Sequence, residues 1–190
     1  LSDNVHNAAI EGTFDDCQDL AKAMFNDAAL SRRYNFSAVN SINWARIMAQ
    51  TVYYFAAAVA LGAPDRRLAF AVPTGNFGNV YAAYAARKMG LGVRRLAIGS
   101  NANDILTRFM ESGAMETRPV AATLSPAMDI QIASNFERLL FDVYGGKGAA
   151  LVRAMERLRC DGRADFGKAR WRRIRKVFAG HRLDDAGTTA

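Results

Sequence analysis

The sequence predicts an α/β fold, a parallel sheet flanked by helices, and three observations carry that reading. First, Leu68–Val72 (LAFAV) is an apolar run without alternation, as expected of a strand covered on both faces. Second, short apolar runs alternate with helical periodicity from His6 to about Leu124, the pattern of strand–helix–strand units. Third, a glycine-rich turn, Thr74 to Asn79, follows LAFAV and opens a helix, and such a turn lies at the carboxyl end of its strand. Residues 1–145 read as the α/β portion and 146–190 as a helical, basic segment.

The elements follow in order. His6–Ile10 (HNAAI) is a strand candidate ending at Gly12. Thr13 caps a helix whose first turn holds Asp15 and Asp16, suited to its positive end. Ser41 opens the clearest helix, with Trp44, Ile47, Met48, Thr51, Val52, Phe55 and Val59 at spacings of three and four. Gly62 and Pro64 stop it. After LAFAV, the turn and its helix close at Gly90, and Val93–Ile98 is the next strand candidate. A short helix, DILTRFMES, ends at Gly113, and Val120–Leu124 reads as one more strand. Ser134 and Glu137 have capping-box spacing and lead into FERLLFDVY, which stops at Gly145 and Gly146. Ala149–Arg159 and Phe166–Ala179 complete the chain as helices, with Leu151, Val152, Met155 and Leu158 inward in the first and Ile174, Val177 and Phe178 in the second.

Composition excludes several classes. The hydrophobic fraction is 51% and the charged fraction 23%, ordinary for a globular chain. The apolar stretch from Thr51 to Ala63 falls short of the roughly 20 residues of a membrane span. Cys17 and Cys160 are far apart and make neither a metal motif nor a disulfide framework, which suits a reducing, cytoplasmic setting. His6 and His181 are isolated. The net charge of +7 is concentrated in residues 153–182. RWRRIRK, Arg170 to Lys176, has the composition of a nucleic-acid contact, with Trp171 to stack on a base. Its apolar positions favour a solvated basic helix face instead.

The turn itself points to phosphate. Gly75 and Gly78 let the backbone approach a ligand closely. The amides from Gly75 to Asn79 and the following helix N-terminus make an anion site, with the side-chain amides of Asn76 and Asn79 as further donors. The glycines are not spaced as G-x-G-x-x-G, and G-K-[ST] does not occur, so the turn fits a single phosphate rather than a dinucleotide or a triphosphate. On chemistry alone, a tight turn holding only water stands equally open.

Beyond chemistry, VPTGNFGNVYAAYAARKMGL resembles the cofactor-phosphate loop of threonine synthase, one of the fold-type-II enzymes that use pyridoxal 5′-phosphate (PLP). GTFDDCQDLAKAMFND, NSINWARIMAQTVYYF, SNANDILTRFMESG and SPAMDIQIASNFERLLF are similar to other family segments in the same order. The likeness covers about residues 3–145 and is weaker from Lys147 onward. It implies a lyase that converts O-phosphohomoserine and water to threonine and phosphate in threonine biosynthesis, with PLP as cofactor and electron sink. It implies that Gly75, Asn76, Phe77, Gly78 and Asn79 hold the PLP phosphate, and that Asn40, Ser41 and Asn43 face the substrate or cofactor. The alternative for the last three is helix capping.

The family's Schiff-base lysine sits in a motif resembling G-P-T-x-A-F-K-D, which does not occur in this sequence; nor does S-G-D-T-G. Lys22, Lys88, Lys147, Lys168 and Lys176 all read as surface charge. The chain is therefore expected to be an internal portion of a threonine synthase, partnered by the remainder of that enzyme and inactive alone. The competing expectation is a non-catalytic phosphate-ligand-binding module using the same loop.

Overall fold

The computed structural model describes residues 2–38, 40 and 43–189. They divide into two compact units between Ser37 and Ala38.

The first unit holds α1 (Phe14–Asn26) and α2 (Ala28–Tyr34). Thr13 caps α1 as its sequence suggests. Its Oγ1 accepts from the Asp16 N–H at 3.3 Å, and the Asp16 carboxylate accepts from the Thr13 N–H at 2.7 Å. Asp27 ends α1 and caps α2, accepting from the N–H groups of Ala29 and Leu30. The strand expected at residues 6–10 is absent: those residues are exposed and pair with no strand among the described residues. Phe14, Leu20 and Met24 are exposed on α1.

The second unit carries the sheet. Its elements are α3 (Trp44–Ala60), β1 (Leu68–Pro73), α4 (Gly78–Lys88), β2 (Val93–Ser100), α5 (Ile105–Ser112), β3 (Ala114–Glu116), a 3₁₀ turn (Pro126–Met128), α6 (Phe136–Val143), α7 (Gly148–Asp161), β4 (Arg163–Asp165), α8 (Lys168–Arg175), β5 (Phe178–Arg182) and α9 (Asp185–Thr189). The main sheet has the order β1-β2-β5 and is parallel throughout, as the alternation of strands and helices requires. Val72 aligns with Ile98, and Ile98 with Gly180. A separate antiparallel pair joins β3 to β4.

Four sequence expectations change here. Residues 146–190 are not all helix, because β4 and β5 are strands. Val177 and Phe178 fit a helical face by spacing, yet α8 stops at Arg175 and Phe178 begins the third strand of the sheet. Gly180 lets that strand lie close to α5: a Cβ there would stand 2.7 Å from the Thr107 Cα. Residues 120–124 form no strand. Side chains satisfy their backbone instead: Asn103 pairs with both the N–H and the carbonyl of Ala121, and the Asp129 carboxylate accepts from the Thr123 N–H. β1 is an edge strand among the described residues, with Phe70 and Val72 turned inward and Ala69, Ala71 and Pro73 exposed. Finally, Val152 points outward on α7, while Leu151, Ala154, Met155 and Leu158 are buried.

The core lies between the sheet and helices α4 to α8. Phe77, Phe109, Phe136, Phe166 and Phe178 are fully buried there. Phe136 meets Phe77 and Phe109 edge-on, each at 5.0 Å between ring centroids. Each buried ring contributes about 1.5–3 kcal/mol by leaving water, and an edge-to-face pair adds about 0.5–1.5 kcal/mol. This aromatic cluster stands directly behind the turn at residues 74–79.

Candidate functional site

Thr74 closes β1. Its N–H donates to the Gly99 carbonyl at 2.8 Å, so the end of β1 is tied to the end of β2. The chain then turns and enters α4 at Gly78. The left-handed residue of the turn is Phe77, at φ 66°, not a glycine. A phenylalanine at positive φ is strained. Its buried ring, packed on Phe136 and Phe178, holds it there. Gly75 has a different use: a Cβ on it would sit 2.9 Å from the Met128 Cα. Its missing side chain thus lets the 3₁₀ turn close against the loop, rather than serving only ligand approach.

The asparagine side chains are also more committed than the sequence suggested. Asn79 Nδ2 donates to the Pro73 carbonyl at 2.7 Å, bridging the two ends of the loop. Asn76 Oδ1 accepts from both the N–H and the hydroxyl of Ser134, at 2.7 Å each. Ser134 is consequently not the cap of α6; Asn135 occupies that position. From the other side, the Tyr54 hydroxyl on α3 donates to the Asn79 carbonyl at 2.9 Å. Burial raises the pKa of that phenol to about 12, which keeps it a donor at neutral pH.

What remains is a row of backbone donors. The first α4 hydrogen bond within this turn runs from the Tyr81 N–H to the Phe77 carbonyl. The N–H groups of Gly75, Phe77, Gly78 and Asn79 have no protein acceptor among the described residues. They stand at the N-terminus of an eleven-residue helix whose first turn carries no acid. The positive end of the helix dipole and these N–H groups suit a phosphate dianion.

A polar network forms the neighbouring wall. Asn101 and Asn103 follow the carboxyl end of β2 and are buried. Their side-chain amides donate to the Asp129 carboxylate at 2.6 and 2.9 Å, and the Thr123 hydroxyl donates to it at 2.7 Å. Asp129 directly follows the 3₁₀ turn that abuts Gly75, so the network fixes that turn against the loop.

Asn43 caps α3, its Oδ1 accepting from the Ala45 N–H at 2.9 Å while its Nδ2 donates to the Ala38 carbonyl. The Asn40 carbonyl accepts from the Asn43 N–H. Ser41 lies outside the described residues. The start of α3 is brought beside the first turn of α4, where the Trp44 and Tyr81 rings meet edge-on at 6.1 Å.

Other sequence candidates resolve simply. Trp171 is half-buried and donates to the Met110 carbonyl at 3.1 Å, with Arg175 stacked over its ring. It is engaged inside the fold rather than displayed for a base. Cys17 and Cys160 are exposed free thiols. Lys88 pairs with Asp142 at 2.5 Å and Lys22 with Asp19 at 3.3 Å. Lys147, Lys168 and Lys176 are exposed. No helix among the described residues is long and apolar enough to cross a membrane.

With this geometry in place, comparison with known proteins is informative. No protein-family model matches the chain. It is 50% identical over 188 residues to threonine synthase of Pseudomonas aeruginosa, covering 99% of this chain and 40% of that protein. It is 54% identical over 142 residues to threonine synthase of Saccharomyces cerevisiae, covering 73% of this chain and 28% of that protein. A crystal structure described as PLP-bound threonine synthase from Brucella melitensis superposes with a TM-score of 0.88 at 53% identity, covering 98% of this chain and 40% of that one. The chain thus spans two-fifths or less of the length of these relatives. The class is an α/β fold of PLP fold type II, a parallel sheet flanked by helices. Within it, the chain corresponds in sequence and fold to a portion of a threonine synthase. The reading as a non-catalytic phosphate-binding module finds no support in these relatives.

Proposed function

We propose that this chain supplies the cofactor-phosphate cradle of a threonine synthase, which converts O-phosphohomoserine and water to threonine and inorganic phosphate. The observation that carries the proposal is the set of backbone N–H groups at Gly75, Phe77, Gly78 and Asn79 without protein acceptors, at the carboxyl end of β1. Their number, direction-giving turn and uncompensated helix N-terminus fit the phosphate of PLP.

When bound, PLP supplies an electron sink that lets protons move at carbons next to the substrate amine. The residues of this chain do the holding. The loop amides bind the phosphate. Asn79 and Tyr54 keep the last turn of the loop from opening, and Asn76 locks it to Ser134. Phe77 seals the back of the cradle against water with its buried ring. Asn40 and Asn43, which precede α3, are assigned to the substrate side, and Ser41 is assigned there from the sequence resemblance alone. Both ends of the Asn43 amide are engaged in capping, so its contribution is to fix the direction in which α3 begins.

The full activity needs the remainder of the enzyme, and the chain alone is proposed to be inactive, because its lysines are spent on ion pairs or stand exposed on the surface. A cytoplasmic setting accompanies this reading. The test is phosphate release from O-phosphohomoserine by the full-length protein with added PLP. Threonine and phosphate are expected in equal amounts; tight PLP binding with no turnover would overturn the assignment.

A further inference from the structure

Four cations converge at the end of the sheet away from the loop at residues 74–79. Arg87 and Lys88 lie in the last turn of α4, and Arg173 and Lys176 at the end of α8. The negative ends of these helices account for a cation on each. They do not account for all four side chains lining one cleft of about 510 Å³, a volume in the range of small-molecule sites. Leu139, Ile174 and Phe178 also line it and are buried. The cleft sits where β2 and β5 begin: Arg87 Nε donates to the Val93 carbonyl at 3.1 Å, and Phe178 opens β5.

Its charge is not balanced. Asp142 is the one acid lining the cleft among the described residues. It is already committed, because Lys88 Nζ donates to it at 2.5 Å and the Tyr84 hydroxyl donates to its other oxygen. Burial alone would raise the Asp142 pKa, but these bonds and the charges of Lys88 and Arg173 outweigh it and hold the carboxyl below its ordinary 3.8. The carboxylate is therefore ionised at neutral pH and offsets one cation, Lys88. Arg87, Arg173 and Lys176 form no ion pair among the described residues. Their three charges share one cleft unmatched by any carboxylate of the fold.

The chemistry of these groups names the occupant. Arg87 spends only its Nε on Val93, and Arg173 spends none of its guanidinium N–H groups on an acceptor among the described residues. Such planar forks match phosphate and carboxylate oxygens, and Lys176 adds a point charge. The buried apolar side chains behind them form a low-dielectric wall, which concentrates the field of the three charges in the cleft. A single negative charge would leave most of that field unmet, whereas an anion with several charges meets it.

We propose that this cleft is a binding site for a small polyanion bearing phosphate or carboxylate groups, held by Arg87, Arg173 and Lys176.

Isothermal titration calorimetry of the full-length enzyme, with PLP present, tests it. The probes are inorganic pyrophosphate and citrate. One site per chain is expected for at least one of them, and the tighter probe tells phosphate from carboxylate chemistry. Arg173→Gln and Lys176→Gln change exposed side chains and are each expected to raise the dissociation constant of that probe roughly tenfold. Arg153→Gln removes the same charge from an exposed position of α7 outside the cleft, and is expected to leave the constant unchanged. If neither probe binds, or binding survives both cleft substitutions, there is no such site here. If Arg153→Gln weakens binding as much as the cleft substitutions do, the affinity belongs to diffuse surface charge and the proposal falls.

Discussion

Gly75 has no room for a side chain. A methyl group there would stand 2.9 Å from a backbone atom of Met128, which cannot rotate away. Gly75→Ala is therefore expected to destabilise the full-length enzyme by about 1–3 kcal/mol, the usual cost of overpacking, and to weaken PLP binding as the loop shifts. Urea unfolding with an unchanged m-value checks the first effect; a stability equal to wild type would mean that the 3₁₀ turn yields freely. The position of Gly75 in the turn was legible in the sequence, but its steric reason was not. The contact is with a residue more than fifty positions away, and local spacing carries no trace of it. Phe77 shows the same limit. Its place in the motif was readable, while its left-handed backbone, held by Phe136 and Phe178, depends on rings from a distant helix and a distant strand.

At the scale of elements, β1, α4, β2 and α5 were readable because each has a clear apolar pattern, and the two helices are stopped by glycines. Gly90 and Gly113 adopt the positive φ that such stops require. β5 was not, because VFAG following a basic helix continues its spacing by chance. What holds β5 beside α5 is partly a charge cluster. Asp104, buried at the start of α5, accepts from Arg108 at 2.8 Å and from Arg182, at the end of β5, at 2.6 Å. Burial alone would raise the Asp104 pKa, but the bonds and charges of Arg108 and Arg182 outweigh it and hold the carboxyl below its ordinary 3.8. A carboxyl depressed in the folded state stabilises above its unfolded pKa, and that stabilisation fades as pH falls through the folded value. Asp104→Asn is thus expected to cost about 2–3 kcal/mol at pH 7, by leaving Arg108 without its counter-charge. The difference from wild type should shrink below pH 3.8. Denaturant melts of both proteins at neutral and acid pH measure it; a gap independent of pH would assign the loss to packing.

For the whole molecule, the order of segments carried more information than any one of them. Five stretches in sequence pointed to one family, and the comparisons bear that out over nearly the full chain. The lysine census sets the chemical boundary. With Lys22 and Lys88 in ion pairs and the other three exposed, none is desolvated in the way that makes a lysine a nucleophile. Mixing this chain with PLP is expected to give no saturable visible absorption band that one lysine substitution removes. A band lost on changing a single lysine would show a catalytic lysine here after all.

The late position of β5 has a consequence for biosynthesis. Leu96 pairs with Phe178, so the third strand leaves the ribosome long after the second. During that interval β2 has an open edge, and the rings of Phe77 and Tyr84 lack the partner that Phe178 later provides. Nascent chains with such edges are prone to association. The turn at residues 74–79 is thus translated well before Phe178, the ring that supports it from behind.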